Sequence, residues 1–172
     1  MNADFAKAAL AAAKAIQDDL DAIGLPPAES TPSRSHSVLD IALVKGTRGY
    51  IEKVAHQVNK TYDDACYDAC AVMVRRLVET LIIEAFEAAG NATNIKTSSG
   101  EFMHLRELVE QTLAETSWTL GRNVRQALPR IKSIGDRSAH DRRYNAMWRD
   151  IDNVKDDLRA VVQELLYLAR LK

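Results

Sequence analysis

Scarce turn formers and apolar residues at helical spacing predict an all-α protein, an antiparallel helical bundle with an additional N-terminal helix. Glycine and proline are scarce, 7 and 4 in 172 residues, too few turn formers for a sandwich or barrel. Hydrophobic residues make up 47%, supplied mainly by Ala, Leu and Val, while aromatics are only 6%. Apolar residues also recur at steps of three and four, the spacing of a helix face, through most of the chain. With 27% charged residues the composition is globular, and the length fits one domain with a sizeable core.

The first helix is expected from Asn2, a good N-cap, to Gly24, a good terminator. Phe5, Ala9, Ala12, Ile16, Leu20 and Ile23 form its narrow, alanine-rich stripe. Such a stripe suits docking as an accessory element or pairing with a partner chain, including exchange between subunits. Residues 25–37 are rich in Pro and Ser and read as a linker, leaving 38–172 as the main domain. A short apolar stretch from Val38 to Val44 is broken by Gly46 and Gly49, and a helix follows from about Tyr50 to Lys60. The segment Tyr62 to Ala89 is the most apolar, with Ala69, Met73, Leu77, Leu81 and Phe86 on one side. Cys70, Val74, Val78 and Ile82 widen that stripe, which places the helix at the centre of a bundle. Gly90 ends it, and a polar loop follows.

A further helix is expected over Glu101 to Glu115, turning Phe102, Leu105, Leu108, Val109 and Leu113 inward. Leu120, Val124, Leu128, Ile131 and Ile134 define the next, with Pro129 predicting a kink or a restart near Leu128. Met147, Ile151, Val154, Leu158, Val161, Leu165 and Leu168 hold a heptad without a slip. That is a seam for a long partner helix, within the fold or in a second subunit. Neither an internal repeat nor a glycine-rich phosphate loop is present.

The charge balance, 23 basic against 24 acidic residues, excludes a globally basic nucleic-acid binder but leaves room for a local patch. Two cysteines without a disulfide framework point to a reducing compartment. The N-terminus lacks a signal pattern and no apolar run is long enough to span a bilayer, so a cytoplasmic protein away from membranes is expected. Cys66 and Cys70 stand one turn apart, but a tetrahedral metal site needs two more ligands, and small buried thiols are the better reading. Asp63, Asp64 and Asp68 read as charges at a helix N-terminus. His36 in the linker, and His56 and His104 in mid-helix, lack a companion at turn spacing and read as structural or solvated. There is no HExxH and no serine elbow, so neither a metal nor a cofactor is expected. Arg75 and Glu79 can pair on the central helix, and an arginine there can also reach toward the basic stretch downstream.

That stretch, residues 130–150, reads as a polar loop. Arg122, Arg125, Arg130, Lys132, Arg137, Arg142, Arg143 and Arg149 are opposed only by Asp136 and Asp141. A local positive patch beside one histidine can attract and position a phosphodiester. His140 suits general acid or base work near neutral pH, and Arg137 or Lys132 could stabilise charge on phosphorus. The simpler reading is a connecting loop in which Asp136 caps a turn and the arginines are solvated.

The stretch YDACAVMVRRLVETLIIEAFEAAG, followed later by IKSIGDRSAHDRRYNAMWRDIDNVKDDLRAVVQELL, resembles the HEPN superfamily. More narrowly it is similar to the bacterial domain-of-unknown-function family 4145, over about Gly46 to Leu171. The resemblance implies an all-α bundle that commonly dimerises. Many such domains are metal-independent ribonucleases in toxin, phage-defence or RNA-processing systems, and others are inactive binding modules. In the active branch an arginine and a polar residue, often asparagine, precede the histidine. With His140 on that histidine, Asp136 takes the asparagine position and Gly135 the arginine position, so His140 alone is carried over. The related family tends to read Gly-Asn there, which Gly135 fits. The Asp136 carboxylate would repel a phosphate that an asparagine amide tolerates.

The expectation is therefore a homodimer with His140 near a cleft between subunits. It would act as a weakly catalytic or non-catalytic binding module for RNA, a nucleotide or a partner protein in bacterial stress or phage defence. Arg137, His140, Arg142 and Arg143 are the expected contacts, Lys132 stands at the rim, and Asp136 belongs to the same site. The alternative is a metal-independent endoribonuclease, with His140 as acid–base residue, Arg137 as phosphate stabiliser and Tyr144 as a positioning hydroxyl. A dimerisation scaffold using only the Met147 to Leu168 seam is the remaining alternative.

Overall fold

A computed structural model describes residues 37–172, together with Lys7, Leu10, Ala11, Ala12, Lys14 and Ala15. Those six N-terminal residues are helical and exposed; the rest of the expected first helix, the linker before Ser37 and His36 lie outside the described residues. The chain divides by its contacts into residues 1–31 and 32–172. Residues 32–172 form the larger unit.

Its described residues are mostly helical and contain no strand. After a 3-10 turn at Ile41–Leu43 come α1 (Gly49–Asp63) and α2 (Tyr67–Ala88). A second 3-10 turn at Ala92–Ile95 leads to α3 (Leu105–Ala114), then α4 (Arg122–His140), α5 (Trp148–Asp152) and α6 (Lys155–Leu168). No helix is long and apolar enough to cross a membrane, among the described residues.

The apolar run expected at the centre does lie there. α2 packs against every other helix and buries Cys70, Val74, Leu77, Leu81, Ile82 and Phe86. It starts at Tyr67 rather than Tyr62, because α1 continues to Asp63 and the chain then reverses through Ala65. Ala65 has a φ of 57°, a left-handed conformation usually given to glycine, and the Cys66 N–H closes the turn on the Thr61 carbonyl at 2.8 Å. Asp63 and Asp64 therefore end α1 instead of opening α2, and Asp64 accepts from Lys60 at 2.5 Å. Asp68 keeps its place in the first turn of α2. Of the two thiols only Cys70 is buried; Cys66, at the N-cap, is exposed. Burial pushes the Cys70 thiol up to about 12, so it packs as an unreactive apolar group.

Glu84 is buried on α2, held by the Arg48 Nε at 2.8 Å and by the Tyr50 hydroxyl, which donates to it. Burial raises its carboxyl above the usual range, against the opposing pull of Arg48.

Helix α3 is shorter than expected. Phe102 lies in an isolated antiparallel bridge with Lys96 and is partly exposed, while Leu105, Leu108 and Val109 are buried as predicted. His104 is the N-cap of α3 rather than a mid-helix residue. The C-terminal heptad is divided into α5 and α6 by a turn at Asn153 and Val154. Its apolar positions nevertheless stay in register: Ile151, Val154, Leu158, Val161 and Leu165 are all buried, with α6 packed on α2 and α4. Met147, 46% exposed, stands outside the seam. The seam is closed within the chain, by α2 and α4.

The largest correction concerns α4. Residues up to His140 are helical, so the expected loop shrinks to the segment between Asp141 and Met147. Pro129 lies inside a helix that neither stops nor restarts at Leu128. Proline removes one N–H, and Pro129 and Arg125 are both exposed, so water can satisfy the carbonyl left without its partner.

Candidate functional site

Gly135 sets how α4 meets α2. A Cβ at this position would sit 2.6 Å from the Arg75 Cβ and 3.2 Å from the Ala71 carbonyl oxygen. Only glycine allows the two helices to approach this closely. The approach brings Arg75 to the next residue of α4: its Nε donates to Asp136 Oδ1 at 3.0 Å. Lys132 Nζ donates to Asp136 Oδ2 at 2.6 Å, and Arg75 Nη1 reaches Glu79 at 3.5 Å. Thus an arginine of the central helix does reach the basic stretch, where it meets a carboxylate. Asp136 caps no turn. Its partial burial alone would raise its pKa, but the hydrogen bonds and charges of Lys132 and Arg75 outweigh that and hold it below the usual aspartate range.

His140 is the last residue of α4 and is exposed. It borders two open clefts. The larger, about 660 Å³, is lined by Arg75, Lys132 and Asp136 from the helix crossing and by His104, Arg106 and Glu107 from the start of α3. The smaller, about 440 Å³, includes Asp68, Arg142, Tyr144 and Asn145. Its loop is held at both ends. The Asp141 N–H donates to the Arg137 carbonyl at 2.9 Å, and the Ala146 N–H donates to Asp68 Oδ1 at 2.9 Å.

The residues expected to act together are only partly united. Lys132, Asp136 and His140 share the larger cleft, and Arg142, Tyr144 and His140 share the smaller. Arg137 lines neither; its guanidinium lies over the Tyr144 ring, 4.3 Å from the centroid. Arg143 is exposed, with its backbone N–H bonded to Asp141 Oδ1 at 3.0 Å. Among the described residues, no carboxylate lies within ion-pairing distance of Arg137, Arg142 or Arg143, whereas Arg130 pairs with Asp157 at 2.8 Å.

Tyr144 departs from expectation. Its hydroxyl is enclosed, so as placed it is not open to a substrate. Burial, then the neighbouring Asp150 carboxylate, raises its pKa. His104, Arg106 and Glu107 line the same cleft as His140, brought there by the fold, and no spacing in the chain signals it. No group of three His, Cys, Asp or Glu side chains suited to a metal ion occurs among the described residues.

Comparison with protein-family models, with curated proteins and with solved structures finds no match to this chain.

Proposed function

We propose that this chain is a HEPN-like module that binds the phosphate backbone of RNA at the C-terminal tip of α4, without strong catalysis, in bacterial stress or phage defence. The observation that carries the reading is the concentration of Arg137, His140, Arg142 and Arg143 at one helix end, all four exposed and the three arginines without carboxylate partners among the described residues. Unpaired guanidinium groups are the side chains that gain most from a phosphate, because no existing ion pair must break. The family resemblance supplies RNA as the polymer, and a homodimer belongs to the same reading. Since the C-terminal seam is closed within the chain, such a dimer uses another surface.

The test is titration of a labelled single-stranded RNA at several salt concentrations. Each phosphate contact contributes about 0.7 to the slope of log affinity against log salt. Replacing Arg142 and Arg143 by Gln together is expected to lower that slope by about 1.4. An unchanged slope would sink the reading.

One observation favours a second reading, a metal-independent endoribonuclease: the exposed His140 shares its cleft with Lys132. In that case RNA is cut in EDTA and His140→Ala abolishes the cutting. Against it stand Gly135 at the position of the active branch's arginine and Arg137 resting on Tyr144, outside the cleft.

A further inference from the structure

Helix α4 carries cations well before its tip, and most of them stand on its solvent side. Arg122, Arg125, Arg130, Arg137 and His140 are all exposed. At about 100° per residue they fall within about 140° of the helix circumference. The uncharged Gln126, Pro129 and Ser133 lie between them, also exposed, and the face holds no aromatic side chain. Asp136 is the only acidic residue of the helix; it stands at the edge of this face, taken up by Arg75 and Lys132.

Helix α6 borders the face with two carboxylates, and both are engaged. Asp157 pairs with Arg130 at 2.8 Å, and Glu164 accepts the Gly121 N–H at 2.5 Å. On the α3 side, Arg125 Nη2 donates to the Leu113 carbonyl at 2.8 Å, which holds the guanidinium without cancelling its charge. Arg122, Arg125 and Arg137 therefore have no carboxylate partner among the described residues.

We propose that the exposed face of α4 is a track for the backbone of a single RNA strand, running from the tip at His140 back to Arg122. The track rests on the RNA reading of the α4 tip and extends that contact along the whole helix. From Arg122 to His140 the helix rises about 27 Å. At about 3.4 Å per stacked nucleotide, about eight nucleotides cover that length. Guanidinium groups without an aromatic platform hold phosphates rather than bases, so capture does not depend on base sequence. An RNA strand presents one charge per nucleotide without interruption, which a peptide matches only as a long unbroken acidic run.

The experiment measures the slope of log affinity against log salt for uridine oligomers of four and twelve nucleotides. The slope reflects contacts rather than the number of binding registers, and each phosphate contact contributes about 0.7. Four nucleotides are held at the tip and cover about half the face. The twelve-nucleotide slope is expected to be steeper by about 1.4, from Arg122 and Arg125. Arg122→Gln with Arg125→Gln removes that difference and leaves the four-nucleotide slope unchanged. Arg122→Gln alone removes about half of it, and circular dichroism verifies that each variant is folded. An adenosine oligomer of twelve nucleotides gives the same slope as the uridine one.

Equal slopes for four and twelve nucleotides, with Arg142→Gln and Arg143→Gln still lowering both, overturn the track and leave the tip reading standing. A loss at Arg122 and Arg125 with none at Arg142 and Arg143 keeps the track and removes the tip reading. Displacement of the RNA by polyglutamate at equal charge concentration overturns RNA as the occupant.

Discussion

The middle of α4 and its last turn carry the same kinds of charged side chain and use them in opposite ways. Beside Gly135, Asp136 is drawn into the crossing with α2, where its carboxylate pairs with both Arg75 and Lys132. From Arg137 onward the cations have no carboxylate partner among the described residues. Charge density along the sequence is similar in both places. Whether a neighbouring helix brings a carboxylate separates a structural ion pair from a charge open to a ligand.

The sharpest way to break this contrast is Gly135→Ala. At an unhindered helical glycine, alanine would add about 1 kcal/mol. Here the new methyl meets the Arg75 Cβ, and a loss of about 1–3 kcal/mol is expected in urea unfolding. A stabilised variant would show that the crossing is not close-packed.

Asp136→Asn comes next. The carboxylate is 31% exposed, so screening limits the expected loss at neutral pH to about 1 kcal/mol. Because the folded-state pKa of Asp136 is lowered, its contribution is complete above the unfolded value, about 3.9. It disappears as pH falls through the folded value, so wild type and variant should converge in acid. Glu84 provides the opposite sign. With its folded pKa raised, its contribution is complete below the unfolded value, about 4.3, and declines as pH rises through the folded one. Glu84→Gln should remove that decline, shifting the comparison toward the variant at neutral pH. Equal pH profiles for the two substitutions would contradict the two environments.

The smallest effect on stability is expected at the tip. Arg142→Gln with Arg143→Gln should leave unfolding free energy within about 0.5 kcal/mol of wild type, while the salt dependence of RNA binding falls. A large loss of stability would mean that these arginines serve the fold.

Much of the architecture was legible because it rests on periodicity. The run through α2 and the heptad ending at Leu168 specify faces that the structure buries except at their first positions, Ala69 and Met147, which are exposed, and a turn at Val154 interrupts the second. Boundaries were less legible where the chain uses unusual residues. Ala65 makes a left-handed turn without glycine, so α1 and α2 were divided in the wrong place. Pro129, read as a breaker, sits on a solvent-facing side that tolerates it. Of the site, the basic stretch and His140 could be read directly, as could an arginine on α2 reaching toward them. The company of His104 could not, because it depends on how α3 is set against α4 and leaves no mark in local spacing. The role of Gly135 was equally hidden; in the sequence it marks a family branch, and in three dimensions it is the contact point of two helices.

The short segment carrying Arg142 and Arg143 is tethered on one side by the Arg137 carbonyl and on the other by the Asp68 carboxylate of the central helix. A ligand arriving there meets a backbone that needs no reordering, so the entropy lost on association falls mainly on the arginine rotamers. Cutting the second tether with Asp68→Ala would therefore weaken capture of a polyanion through preorganisation, while raising the local net charge.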